Sequence, residues 1–273
     1  MKESETYKKN VKEFYNQVGW KKENNKYVDA ILFSSTKQVV EEYKKRCENR
    51  ILKYINEQGD CILDCASGPV PNGKDTYYSK KYNKHYCIDF SENALKEAEK
   101  NLGGKGKYIL GDITNIPLPD NCMDAVVSLH TIYHVPKDEQ LKAIDELYRV
   151  LKPGCTGVII YNFGVHATLI NIISFPFQLF NFLKKRIGKR SAHHTEKIYF
   201  YSHSYKWFKE NITFDFEIAA FQLLNNNILK FYIHKFLLGR LILELVSFLE
   251  DKFPIAMGRI AYHPLIKFTK KLG

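Results

Sequence analysis

Paired cysteines, an unbroken apolar stretch and a glycine-rich phosphate loop are all missing from this chain of 273 residues. Its six cysteines, at 47, 61, 65, 87, 122 and 155, form no CxxC pair and no short-spaced framework, which excludes a small disulfide-stapled fold. Cys61, Cys65 and Cys87 fall in predicted strands, where cysteine acts as a small hydrophobe, so reduced structural thiols are expected. The longest nearly uncharged run, Gly164 to Leu183, is interrupted by His166, Asn171, Pro176, Gln178 and Asn181. A spanning helix needs about 20 predominantly apolar residues, and this run is a poor one. The N-terminus, MKESETYKKNVKEF, lacks the apolar centre of a secretory signal. A cytoplasmic protein is expected. Internal repeats and low-complexity linkers are absent too.

What is present is an ordinary globular composition with a strong basic balance, a formal charge of +11. Nucleic acid, an anionic membrane or acidic substrates would each suit that charge. Lysine supplies most of it and is scattered along the chain, so a solvated surface is the preferred reading.

The hydrophobic period divides the chain. Residues 1–58 read as a helical cap, with Val39, Val40, Tyr43, Cys47, Ile51 and Tyr54 at spacings of three and four. From residue 59 short apolar runs alternate with helical ones. Cys61–Cys65, His85–Ile88, Lys107–Leu110, Ala125–Leu129 and Gly157–Tyr161 read as strands. Ser91–Leu102, with Ser91 as N-cap and Gly103-Gly104 as stop, and Pro136–Leu151 read as helices. This pattern predicts an α/β fold: a Rossmann-like, doubly wound, mostly parallel sheet over residues 59–273. An insertion at about 164–200 follows the fifth strand. Beyond it, Phe214–Leu224 and Tyr262–Phe268 read as strands and Leu229–Leu249 as one long apolar helix.

Such sheets bind ligands beyond the carboxyl ends of their strands. The first strand ends in Asp64-Cys-Ala-Ser-Gly-Pro69, a small-residue turn that lets a ligand approach, and amides at a following helix start would favour a negative group. The second ends in Asp89, about 20 residues after the glycine turn, as ribose-binding carboxylates do in dinucleotide folds. A dinucleotide fingerprint itself fails: its glycine positions hold Ala66, Gly68 and Pro71. The third strand ends in Gly111-Asp-Ile-Thr-Asn-Ile-Pro-Leu-Pro119, and the fourth in Ser128-Leu-His130. Taken singly, Asp112 could be a turn residue and Asp64 a carboxylate holding turn amides.

As an ordered set, LDCASGP, CIDFS, GDITNIPLPDNCMDAVVSLHTIYHV and ELYRVLKPG resemble the successive motifs of class I S-adenosylmethionine-dependent methyltransferases, in the branch that acts on small molecules and lipids. The resemblance covers about residues 60–162. It implies S-adenosylmethionine as cofactor, its methionine portion at the turn Asp64, Ala66, Ser67, Gly68 and Pro69. It implies ribose at Asp89 with Phe90 beside it, adenine at Asp112 and Ile113, and the transferable methyl near Ser128, Leu129 and His130. Alanine at position 66, where the family usually has glycine, is the departure from the pattern.

His130 and His134 stand four residues apart after the fourth strand. Either could be a general base where the acceptor must lose a proton. The alternative is that His134 packs under the next helix and His130 only lines the pocket. His193, His194, His203 and Glu196 match no metal spacing, so no metal is expected. Phe14, Tyr15 and Trp20 belong either to a lid or to core anchoring. The stretch SLHTIYHV lacks the Asn/Asp-Pro-Pro-aromatic and Pro-Cys signatures of base methylation, which speaks against nucleic acid as partner. An RNA methyltransferase and a non-catalytic cofactor binder remain the alternatives to methyl transfer onto a small, hydrophobic or lipid-linked acceptor. In the insertion, apolar Thr168–Leu183 precedes Lys184, Lys185, Arg186, Lys189 and Arg190. That suits either a lid packed against the sheet or a peripheral contact with an anionic membrane.

Overall fold

Five apolar runs form parallel strands in the computed structural model, which describes residues 2–20, 22–23, 26–27, 38–55, 58–71, 76–187, 198–233 and 238–272. They are β1 (Gly59–Cys65), β2 (Tyr82–Asp89), β3 (Gly106–Leu110), β4 (Met123–Leu129) and β5 (Leu151–Ile160). Two more strands, β6 (Phe216–Gln222) and β7 (His263–Thr269), complete one sheet in the order β3-β2-β1-β4-β5-β7-β6. The final strand β7 runs antiparallel between β5 and β6. Asp64 of β1 lies opposite Cys87 of β2 and Val127 of β4. The strand order reverses there, which opens the crevice where such sheets bind ligands.

Ile62, Leu63, Val126, Val127, Val158 and Ile159 are completely buried, as strands covered on both faces must be. Helices of strong amphipathic pattern supply much of that cover. Ahead of the sheet lie α1 (Lys2–Phe14) and α2 (Gln38–Arg50), with a short hairpin of Lys22–Glu23 and Lys26–Tyr27 between them. Within the sheet's alternation come α3 (Glu92–Leu102) and α4 (Gln140–Val150). Ser91 caps α3 by accepting the Ala94 N–H at 3.2 Å, and Gly103 ends it at φ +57°, as expected. Cys47, Cys61, Cys65 and Cys87 are buried and all six thiols are free.

After β5 come α5 (Thr168–Ile187), α6 (Tyr205–Asn211), α7 (Asn226–Phe231), α8 (Gly239–Lys252) and α9 (Pro254–Ile260). The single helix expected over Leu229–Leu249 is therefore two. Leu238 adopts φ +52° immediately before Gly239, a left-handed conformation that cannot continue a helix. Near α4, the expected helix start at Pro136 is a 3-10 turn, Lys137–Glu139, and β5 begins at Leu151, earlier than expected. Among the described residues no helix is long and apolar enough to cross a membrane.

One buried charge cluster ties the N-terminal cap to the far edge. Arg50 of α2 reaches Glu250 of α8 at 2.9 Å and donates to the Phe221 carbonyl at 2.7 Å. Glu250 also accepts from the Tyr43 hydroxyl at 2.7 Å and the Leu223 N–H at 2.6 Å. Tyr43, Cys47 and Ile51 join the same apolar core as Ile62 and Leu63. A buried pair of this kind stabilises little against an apolar substitute, but removing one partner strands the other. Glu250→Ala should cost about 3–5 kcal/mol in urea unfolding. Arg50 would keep Asp251 at 3.0 Å but lose its buried partner, so Arg50→Met in the same background should return part of that loss; additive losses would show the pair to be uncoupled.

Candidate functional site

The turns after β1, β2 and β4 meet beneath the N-terminal helix around an open cleft of about 230 Å³. Ala66 and Ser67 line it from the β1 turn, Asp89 and Phe90 from β2, Asp112 and Ile113 from the β3 turn. Leu129, His130, Thr131 and His134 line it beyond β4. Nine of the expected site residues therefore share one cavity.

The centre of this arrangement is Asp89, only 4% exposed. One carboxylate oxygen accepts the Gly68 N–H at 3.0 Å and the other accepts the Ser91 N–H at 2.8 Å. Burial pushes the Asp89 carboxyl up to about 6, although both amides pull the other way. At the cleft's other end, Asp112 accepts the Thr114 N–H at 2.9 Å and pairs with Lys8 of α1 at 2.7 Å. Burial works to raise Asp112, yet Lys8 and Thr114 together hold it below its ordinary value. Lys8 also pairs with Glu139. The chain thus crosses the cleft with its own cation.

The turn after β1 differs from expectation. No helix follows it among the described residues. The N–H groups of Ala66 and Ser67 both donate to the Ile88 carbonyl, at 2.8 and 3.3 Å, and that of Gly68 to Asp89. These amides hold the turn together rather than cradle an anion. Asp64 does not line the cleft; its carboxylate turns inward to accept the Tyr78 hydroxyl at 2.5 Å, with His85 at 3.4 Å. Pro69 also lies outside the lining, its carbonyl accepting from Asn101. Gly68 adopts φ +59°, and a Cβ there would stand 2.8 Å from the Trp20 ring. Ala66 takes the same left-handed conformation, at φ +56°, which glycine adopts without strain and alanine does not.

Trp20 covers this turn because a π-helical turn, Tyr15–Gly19, follows α1. The Trp20 N–H donates to the Tyr15 carbonyl at 3.0 Å. The Tyr15 and Trp20 rings stack at 4.8 Å, and both line the cleft. Phe14 is buried and packs edge-on against Tyr15.

Two histidines line the cleft beyond β4. His134 Nδ1 lies 2.7 Å from the Tyr199 carbonyl, which can only accept. That contact assigns the proton to Nδ1 and leaves Nε2 an unprotonated acceptor. Burial lowers the His134 pKa to about 4, the carbonyl opposing it. His130 is held at φ +61°, edge-on to His263 at 4.9 Å, and burial followed by the nearby His134 lowers it to about 4. Ser128 is buried behind the lining, and its hydroxyl has no partner among the described residues. His203 stacks on Trp207 at 3.7 Å; His193, His194 and Glu196 lie outside the described residues. No group of acids, thiols and imidazoles suited to a metal occurs among the described residues.

Lys8, Val11, Thr131, Val135 and Pro136 also line the cleft and were not singled out by sequence. Nothing marks Lys8 in a segment where about half of the residues are charged; its role comes from where α1 lands.

The donor set fits a nucleoside cofactor. Buried Asp89 faces the cleft with lone pairs beyond those used by two amides, and the space toward Asp112 is walled by Phe90 and Ile113. Apolar walls with a few convergent polar groups are the usual form of such sites.

Residues 63–159 match the family described as "Methyltransferase domain". The chain is 30% identical to the demethylmenaquinone methyltransferase of Geobacillus stearothermophilus, over 47% of this chain and 52% of that protein. It is 35% identical to the "uncharacterized methyltransferase YdaC" of Bacillus subtilis, over 41% of this chain and 65% of that one. The matched region thus spans about half to two thirds of these relatives. Among solved structures, phosphoethanolamine N-methyltransferase 1 of Haemonchus contortus superposes with a TM-score of 0.56 at 10% identity, over 99% of this chain and 50% of its own. The [4+2]-cyclase SpnF superposes with a TM-score of 0.51 at 15% identity, covering 84% and 82%. The strand order, the carboxylates ending β2 and β3 and the matched segment agree: residues 63–159 are a methyltransferase domain of the class I S-adenosylmethionine-dependent kind, a class whose cofactor is S-adenosylmethionine.

Proposed function

We propose that this protein is an enzyme that transfers a methyl group from S-adenosylmethionine to a small, hydrophobic or lipid-linked acceptor. The observation that carries the reading is the buried Asp89 carboxylate, fixed by two amides and opening into a cleft otherwise walled mainly by apolar and aromatic groups. When bound, the cofactor supplies an electrophilic methyl on a sulfonium. Asp89 accepts the ribose hydroxyls. Asp112, Ile113 and Phe90 hold the adenine, with Lys8 shifting its contact or closing over the base. The turn at Ala66, Ser67 and Gly68 leaves room for the methionine portion, and Tyr15 and Trp20 exclude water above it. Leu129, His130 and Thr131 bound the acceptor's side of the cleft. His134 takes a proton from the acceptor on Nε2, its ring oriented by the Tyr199 carbonyl. Alignment in such a cleft can itself supply about 7–11 kcal/mol, and a placed base a further 10²- to 10⁴-fold, roughly.

Charge-assisted hydrogen bonds are worth about 1.5–3 kcal/mol each. Asp89→Ala should therefore weaken cofactor binding at least about tenfold. Asp89→Asn, which keeps one acceptor, should lose less; calorimetry on both, with melting curves to verify folding, tests the assignment, and unchanged affinity removes it.

The pH dependence has a definite sign. Ribose hydroxyls donate to the ionised carboxylate, so cofactor binding lowers the pKa of Asp89 from about 6. Binding should release a proton near that pH, and affinity should fall up to about tenfold per unit below it. Calorimetry in buffers of different ionisation enthalpy reads the proton directly; pH-independent affinity from 7 to 5 would contradict it.

His134, lowered to about 4, stays neutral through that range. Turnover at saturating cofactor should accordingly persist to about pH 5 and fall only below it. His134→Gln should reduce turnover about 10²-fold with cofactor affinity little changed; near-normal turnover in a folded variant would take the base role from it.

A further inference from the structure

Helix α5 leaves the sheet at the same end as the cleft and is only half covered. Ile170 and Ser174 are buried and Phe177 packs on Phe231 of α7. The Tyr232 hydroxyl donates to the Ile173 carbonyl at 3.1 Å, fixing the helix on that side. On the opposite side Leu169, Ile172, Phe175, Leu179, Phe180 and Leu183 are all exposed. At 3.6 residues per turn these positions, with Ile173 and Phe182, sweep about half the circumference. No charged residue interrupts them. The expected lid would have buried these side chains against the sheet; they face away from it.

The segment before the exposed face packs behind the wall of the cleft. Phe200 lies 5.3 Å from the Tyr133 ring and 6.2 Å from that of His134. Its ring stands 3.2 Å from where a Cβ on Gly164 would be. Val165, the next residue, is 78% exposed, and α5 starts at Thr168. Aromatic contacts thus link the proposed base to the segment that leads into the helix.

An exposed apolar surface of this extent marks a contact site, and charge identifies its partner. Lys184, Lys185 and Arg186 fall in the last turn of the helix, Lys189 and Arg190 follow them in sequence, and none of residues 184–190 is acidic. A water-excluding partner that also attracts cations is an anionic lipid surface, where apolar burial and head-group attraction act together.

We infer that the outward half of α5 seats this protein on an anionic membrane, with the cleft mouth beside the bilayer from which the acceptor is drawn. The origin of the acceptor rests on the methyltransferase reading; the docking itself does not.

The test is co-sedimentation of the full chain with vesicles of phosphatidylcholine alone and of phosphatidylcholine with phosphatidylglycerol in equal parts. Binding is expected to the anionic vesicles at low salt, weakened by salt. Combining Ile172→Ser, Phe180→Ser and Leu183→Ser should abolish it. Lys184→Gln with Lys185→Gln should weaken it about fivefold per residue. These positions lie outside the cleft, so cofactor binding by calorimetry should remain normal in every variant. The inference fails if the wild type ignores anionic vesicles at low salt, or if the triple serine variant binds them as well as wild type. It fails equally if sedimentation finds a dimer that the triple variant dissolves while vesicle binding is absent. Vesicle binding together with an Asp89→Ala protein of unaltered cofactor affinity would keep the docking surface and refute the cofactor assignment instead.

Discussion

A nearly buried carboxylate holds the crevice of this fold in shape. Asp89 ends β2 and bonds forward to the Ser91 N–H and sideways to the Gly68 N–H. Two turns that belong to different strands are thereby fixed by one side chain. Its pKa stands at about 6 against an ordinary 3.8. A rise of that size is an unfavourable burial of charge, about 3 kcal/mol above pH 6 and absent below the unfolded value. The fold at neutral pH therefore carries a local cost at the point where ribose hydroxyls would offset it. Strain is stored nearby as well: Ala66 and His130, both in the crevice lining, are non-glycine residues with positive φ. Such outliers persist where the surrounding structure over-determines them.

The walls of the cleft divide into a fixed part and an added part. The strand ends supply Asp89, Asp112 and His130, positioned by the sheet. The N-terminal segment supplies Lys8, Tyr15 and Trp20, positioned by contacts with the site itself. Because Lys8 pairs with both Asp112 and Glu139, the helix that covers the cleft is held by the carboxylate proposed to take the adenine. Under that proposal, covering the cleft and recognising adenine are coupled events.

Much of this was legible in the amino-acid order. Buried parallel strands leave continuous apolar runs, and turns leave small residues, so β1 to β5 and the acids that follow them could be placed. Asp64 could not be assigned its inward turn, because a carboxylate beside a glycine turn reads the same whether it faces ligand or Tyr78. The break before Gly239 escaped because Leu238 is a good helix former and its side chain does not announce a left-handed backbone. For α5, composition reports how apolar a segment is and not which side is covered; only its packing against α7 shows that half of it is exposed.

The π-helical turn at Tyr15–Gly19 makes the register of the N-terminal segment unusually sensitive to length. A turn closed between residues five apart accommodates one more residue than the α-helix that precedes it. The stacking of Tyr15 on Trp20, and of Trp20 on Gly68, uses that extra residue. Losing any single residue there would restore α-helical closure and swing the indole by about 100°, away from the glycine it covers. The chain can thus exchange most side chains in this segment more safely than it can change their number: for the roof of this crevice, insertions and deletions are graver events than substitutions.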